Sequence, residues 1–142
     1  MNGWFVAHLA ATGAMVGFIW TIQLLSYPMM AAVPEDGFVA YEEAHQRRVT
    51  AVLAVLAPAE LVTAVAVAVV ASDVPAWLTL GAGAILVGIW VATGAYYAPL
   101  HGRLASGFDP DVHRRLVVTN WWRTGAWTVR GAAAIAMVAV VT

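Results

Sequence analysis

Four stretches of the chain are nearly free of charge and long enough to cross a bilayer, which takes about 20 apolar residues for a core of about 30 Å. The first runs from Trp4 to Ser26, with His8 and Gln23 as its only strongly polar members. The second begins as an amphipathic stretch at Phe38 and is strongly apolar from Val49 to Ala71. The third covers Ala76 to Tyr97, and the fourth runs from Asp109 to Val141. Turn chemistry fills the breaks: Tyr27-Pro28 and Pro34-Glu35-Asp36-Gly37, then Ser72-Asp73-Val74-Pro75, then Pro99, Gly102 and Ser106-Gly107. Asp109-Pro110 reads as an N-cap followed by proline at the first helical position, and Ser72 or Asp73 as the cap of the third span. The short connections favour an all-α, up-down-up-down four-helix bundle forming a single transmembrane domain over 1–142. The second and fourth patterns reach about 50 Å at 1.5 Å per residue, so they project beyond the membrane core or kink near its interface.

Composition narrows the class. The chain is 62% hydrophobic and 11% charged, with a net charge of −1 and a mean hydropathy of +0.79. Such a chain is neither a disordered tail nor a basic nucleic-acid-binding domain nor an ordinary soluble enzyme, so its first partner is the lipid bilayer. The absence of cysteine excludes disulfides, zinc knuckles, iron–sulfur clusters and thiol catalysis. The first span lacks a positive leader and an A-x-A site, so it is read as retained. Arg47, Arg48, Arg103, Arg114 and Arg115 fall after spans one and three or at the start of span four, whereas the Ser72–Pro75 turn and both ends of the chain carry no basic residue. The positive-inside rule then places both termini outside and the longer connections in the cytoplasm, in a plasma (inner) membrane.

The few polar residues fall in stripes. On span four, His113, Leu116, Asn120, Arg123, Trp127 and Arg130 recur at steps of three and four, one face of a helix. Trp90, Thr93, Tyr97 and His101 form a similar stripe on span three. Gly13, Gly17, Trp20, Gln23 and Tyr27 do so on span one, and Tyr41, His45 and Arg48 on span two, with Glu60 further out. Counted from the outer ends, Glu60 and Arg130 both lie about 16–18 Å deep. A lone charge there costs at least about 2.5–3.5 kcal/mol, so the two are expected to form a buried ion pair. That pair either locks the bundle or serves a site. Gly13-x-x-x-Gly17 and Gly81, Gly83, Gly88 and Gly94 let backbones approach, inside the bundle or between protomers of a homo-oligomer, internal packing being the expectation.

Toward the cytoplasm the stripes converge on a layered pocket. His45, Asn120, Arg123, Gln23 and Trp127 are the candidate catalytic residues. Arg48, Trp20, Trp90, Thr93, Tyr97 and Tyr27 are the candidate contacts for a hydrophobic small molecule. Intramembrane polar groups that face inward are functional candidates by default. Arginine's planar fork suits an enolate, carboxylate or quinone oxygen, and at Arg48 it equally suits a lipid phosphate. His45 and His101 share a level on neighbouring helices and could ligate copper or iron, or flank a haem, although no HxxH, HxxxH or CxxCH spacing supports them. His8, near the outer face, and His113, on an exposed first turn, read as structural. Trp4, Trp77 and Trp122 read as an interfacial aromatic belt.

The motifs Trp20-x-x-Gln23 with Tyr27-Pro28, Phe38-x-x-Tyr41-x-x-x-His45-x-x-Arg48, Pro58-x-Glu60, Trp90-x-x-Thr93, Pro99-x-His101 and Asn120-Trp121-x-Arg123-Thr124-x-x-Trp127-x-x-Arg130 carry a resemblance. They resemble a group of small bacterial four-span membrane proteins of uncharacterised role, itself distantly similar to the anthrone-oxygenase-like family. That resemblance implies cofactor-independent or metal-assisted oxidation of polyphenolic substrates. The expected function is therefore a membrane oxidoreductase or oxygenase whose pocket takes a hydrophobic substrate, a quinone or a redox metal. The competing expectation is a non-enzymatic accessory subunit or assembly factor of a membrane complex. Solute or proton transport would require inverted repeats or broken helices, neither of which the pattern predicts.

Overall fold

A computed structural model describes residues 2–142. It contains four long helices and no strand among those residues: α1 (Gly3–Met30), α2 (Glu35–Val70), α3 (Ala76–Leu104) and α4 (Pro110–Val141). All four are long and apolar enough to span a membrane. Tyr27, Glu42, His101 and His113 meet at one end of the bundle, and Phe5, Val67, Val74 and Met137 pack at the other. Successive helices therefore run up and down, as the short connections require. α4 starts at the expected cap, Asp109 Oδ1 accepting from the Asp111 and Val112 amides at 2.9 and 3.0 Å. α3 starts instead behind Pro75 with no side-chain cap, so neither Ser72 nor Asp73 fills that role.

Two prolines expected to break helices do not. α1 continues through Pro28 and α3 through Pro99, because each is preceded by a π-helical turn, Ile22–Ser26 and Thr93–Tyr97. There the amides of Tyr27 and Ala98 reach back five residues, to the carbonyls of Ile22 and Thr93. The widened turn relieves the clash a proline ring makes with a regular helix. It also adds one residue to the turn, which shifts the inward face. In α1 that face reads Phe5, His8, Thr12, Met15, Ile19 and Ile22, then resumes at Gln23, Tyr27 and Met30. Extending the Gln23–Tyr27 phase backwards lands on Gly17 and Gly13, and both are exposed. The small-residue pattern of α1 consequently does not pack inside the bundle, contrary to expectation.

The two helical hairpins are arranged pseudo-symmetrically. Trp20 and Trp90, Tyr27 and Tyr97, Phe38 and Phe108, Glu60 and Arg130, and Val67 and Met137 all stand 70 residues apart. Contacts repeat as well as residues: Thr12 bonds Glu60 and the Ala82 carbonyl bonds Arg130, each pair separated by 48 positions. Counterparts that touch each other mark a pseudo-twofold axis. Phe38 and Phe108 do so at 5.0 Å between ring centroids, and Glu60 and Arg130 do so as an ion pair. The axis thus runs along the bundle, relating hairpin α1–α2 to hairpin α3–α4 as parallel repeats.

Candidate functional site

Two polar layers cross the bundle. In the deeper one, Arg130 bonds both the Glu60 carboxylate and the Ala82 carbonyl, while Thr12 Oγ1 donates to Glu60 at 2.9 Å. The expected ion pair is present, and both partners are buried. His8 belongs to this layer rather than to the outer face: it is buried, with Nδ1 3.2 Å from Thr63 Oγ1. Below it, Trp127 is buried with its ring 5.7 Å from the Arg130 guanidinium.

The second layer lies toward the end of the bundle that carries the arginines of the connections. Glu42, fully buried on α2, accepts from His101 Nδ1 at 2.6 Å, and His101 Nε2 lies 2.9 Å from the Tyr27 hydroxyl. With Glu42 ionised, Nδ1 is the donor, which leaves Nε2 of the neutral ring to accept the phenolic proton. Gln46 secures the arrangement, donating to Glu42 Oε1 at 3.1 Å and to the His101 carbonyl at 3.2 Å. His45 stacks on His101 with ring centroids 5.7 Å apart. Against this chain opens a cavity of about 170 Å³ lined by Tyr27, His45, Thr93, Tyr97, His101 and Arg123, among others.

Arg123 is the unusual member. Its guanidinium lies 4.4 Å from the Tyr97 ring centroid, and Tyr97 is itself fixed by donating to the Thr119 carbonyl at 2.8 Å. Arg123 has no carboxylate partner among the described residues, and its Nε is buried without a hydrogen-bond partner. A buried cation left over in this way favours an anionic or strongly polar oxygen beside it.

Of the residues read from the sequence, His45, Tyr27, Thr93, Tyr97, His101 and Arg123 do share one cavity. Gln23 and Asn120 do not line it. They form a clasp between α1 and α4, Asn120 Nδ2 donating to Gln23 Oε1 at 2.8 Å, and Gln23 donating to the Val117 carbonyl at 3.2 Å. Trp127 and Trp90 sit deeper, bounding a small void with Met15 and Ile89 that adjoins the cavity at Leu53, Thr93 and Arg123. Trp20 faces the outer side, donating to Thr128 at 3.1 Å and meeting Trp121 edge-on. Arg48 is exposed, in a groove between α1 and α2 on the far side of His45. His113 is half-buried and donates to the Tyr27 carbonyl at 2.7 Å, tying α4 to the end of α1.

The donor set does not suit a metal between His45 and His101. Both ring nitrogens of His101 are engaged, by Glu42 and Tyr27, and the two imidazoles lie nearly parallel at 24°. Their faces meet, whereas ligation of copper or iron needs in-plane lone pairs converging on one point, and haem needs a ring on either side of the macrocycle. No group of three or more His, Cys, Asp or Glu residues poised for a metal exists among the described residues.

Sequence reading missed Glu42 and Gln46. Both lie in phase with Phe38 and Val49 on the inward face of α2, and that phase is the signal that could have found them. No family model, curated protein or solved structure matches the chain.

Proposed function

We propose that the chain is a multi-pass membrane protein of the oxidoreductase type. Its cavity binds a hydrophobic molecule bearing a phenolic, enolic or quinol oxygen and removes the proton from that oxygen ahead of oxidation. The observation that carries the reading is the Glu42–His101–Tyr27 chain ending in the same cavity as the unpaired Arg123. The bound hydroxyl gives its proton to Tyr27 Oη as Tyr27 passes its own to His101 Nε2. The imidazolium so formed rests against Glu42, and the substrate oxyanion faces Arg123. Oxidation then requires an electron acceptor such as dioxygen or a quinone. The clustering of Arg47, Arg48, Arg103, Arg114 and Arg115 at this end supports an orientation with the cavity near the cytoplasmic leaflet and both termini outside.

The probe is 4-nitrophenol, whose colour reports its ionisation. Bound to the purified protein in detergent, it is expected to ionise at a lower pH than free probe, by about one unit or more, equivalent to roughly 1.4 kcal/mol of preference for the anion. Arg123→Gln should abolish that shift. Saturable binding with no shift, or a shift unchanged in Arg123→Gln, would defeat the reading.

A further inference from the structure

Tyr27 and Tyr97 are counterparts in the two hairpins, and both are buried, yet their hydroxyls meet different partners. Tyr97 donates to the Thr119 carbonyl at 2.8 Å, and a backbone carbonyl accepts a hydrogen bond without taking the proton. Tyr27 donates at 2.9 Å to His101 Nε2, a basic nitrogen whose ring is fixed from its other side by Glu42 at 2.6 Å. Both tyrosines share the cavity with Arg123, whose charge opposes further positive charge at either ring. What separates the two is therefore the proton acceptor.

That difference decides what one-electron oxidation costs. A phenol that loses an electron becomes a radical cation, which is a strong acid, and a buried cation without a partner is expensive. At Tyr27 the charge has a way out. The O–H bond breaks as the electron leaves, the proton passes to His101 Nε2, and a neutral tyrosyl radical remains beside an imidazolium. The imidazolium forms against the buried Glu42 carboxylate, which until then is met by the neutral His101 ring and the Gln46 amide. At Tyr97 the same loss strands the proton on the phenol. When an electron returns to Tyr27, the proton moves back from Nε2 to Oη and the chain is restored.

We infer that Tyr27 is a redox-active tyrosine: it gives one electron to a one-electron acceptor while its hydroxyl proton moves to His101 Nε2. The step needs no bound phenol and so goes beyond the ionisation of a ligand in the cavity. Proton transfer out and back requires the two side chains to stay in place, and both are held through their backbones. Gln46 donates to the His101 carbonyl at 3.2 Å, and His113 donates to the Tyr27 carbonyl at 2.7 Å. An acceptor has two approaches. Tyr27 lines the Arg123 cavity directly, and the His45 ring, 6.2 Å from that of Tyr27, also borders the groove of about 270 Å³ between α1 and α2.

The test uses the purified protein in detergent with no phenol added. A light flash generates tris(bipyridine)ruthenium(III), which removes one electron, and the tyrosyl radical is trapped by freezing and read by electron paramagnetic resonance. The radical is expected to favour Tyr27 over Tyr97 by at least about tenfold, equivalent to about 59 mV for one electron. Tyr27→Phe should therefore lose nearly all of the tyrosyl signal and Tyr97→Phe nearly none. A signal that survives Tyr27→Phe, or falls as far in Tyr97→Phe, overturns the inference. His101→Gln offers a hydrogen-bonding side chain without a base, and it should lose the signal although Tyr27 is still present; persistence there would remove His101 as the proton acceptor and overturn the inference. The native protein supplies a measurement that needs no variant: in heavy water the radical should form measurably more slowly than in ordinary water, and equal rates would overturn the coupling of proton to electron. The 4-nitrophenol shift is read separately, so the head-group reading and this one fail independently.

Discussion

The two polar layers of the bundle are built from similar parts and differ in what they leave over. In the deep layer the carboxylate of Glu60 is met by Arg130 and Thr12, the guanidinium is met again by the Ala82 carbonyl, and of its three nitrogens only Nε is left without a partner. In the layer toward the arginine-rich end, Glu42 holds His101 but keeps an oxygen without a partner, Arg123 has no counter-charge, and a cavity adjoins both. The same kind of charge thus serves two ends. Matched within the fold it fixes the register of the helices; unmatched, it leaves a place for something else to complete. The pseudo-twofold axis explains the deep layer in particular, since Glu60 and Arg130 are counterparts that meet on it.

The sharpest way to break that contrast is to remove half of the deep pair. Arg130→Ala strands Glu60 in the core and is expected to cost about 3–5 kcal/mol, whereas replacing both partners by leucine should recover most of the loss. Denaturant unfolding in mild detergent measures both, and a single variant as stable as the native protein would mean that the layer does not hold the bundle together. Next in size is the contact between α1 and α4. Gln23→Thr with Asn120→Thr unclasps α1 from α4 and should cost about 1–3 kcal/mol, since the backbone carbonyl and the neighbouring Thr124 lose partners too. The opposite change, Thr93→Gln with Thr50→Asn, puts two longer side chains into the lining of the Arg123 cavity and should abolish the ionisation shift of 4-nitrophenol. Retention of the shift in that variant would show that the probe does not occupy this cavity.

Much of this contrast was legible before any coordinates. Periodicity of three and four placed Asn120, Arg123, Trp127 and Arg130 on one face of α4, and all are buried. Depth counting paired Glu60 with Arg130. What failed in α1 failed for one reason: the π-helical turn at Ile22–Ser26 inserts a residue, and a strict helical period carried across it turns the face outward, onto Gly13 and Gly17. Trp20, on the same stripe, turns outward with those glycines. Arg48 was lost differently: it borders the inward stripe of α2, and a period cannot separate the edge of a stripe from its centre. Glu42 stands in a charged stretch of the sequence, and it is buried because an imidazole and an amide meet its carboxylate, as His101 and Gln46 do. The pseudo-symmetry was also present in the chain. Three of the matched pairs are identical residues, but the rest share only the spacing, and a glutamate facing an arginine does not look like a counterpart until the axis between them is seen.

The smallest effect concerns a third kind of carboxylate, outside the membrane-spanning helices. Asp109 is neither paired in a core nor left open to a ligand; the amides of Val112 and Asp111 meet it at the start of α4. Those hydrogen bonds, the Val112 amide foremost, hold its carboxyl below its ordinary value. A carboxyl whose folded value is depressed contributes stability in full above its unfolded value, near pH 4, and loses that contribution as pH falls through the folded value. Asparagine offers the same acceptor oxygen to the helix start without a titrating charge. Asp109→Asn should therefore match the native protein at neutral pH, within the small effect of a lost charge near Arg103, and should flatten only the acid limb below about pH 4. Thermal unfolding across pH 2–7 reads the difference. An acid limb identical in the two proteins would mean that the cap of α4 carries none of the acid sensitivity of the fold.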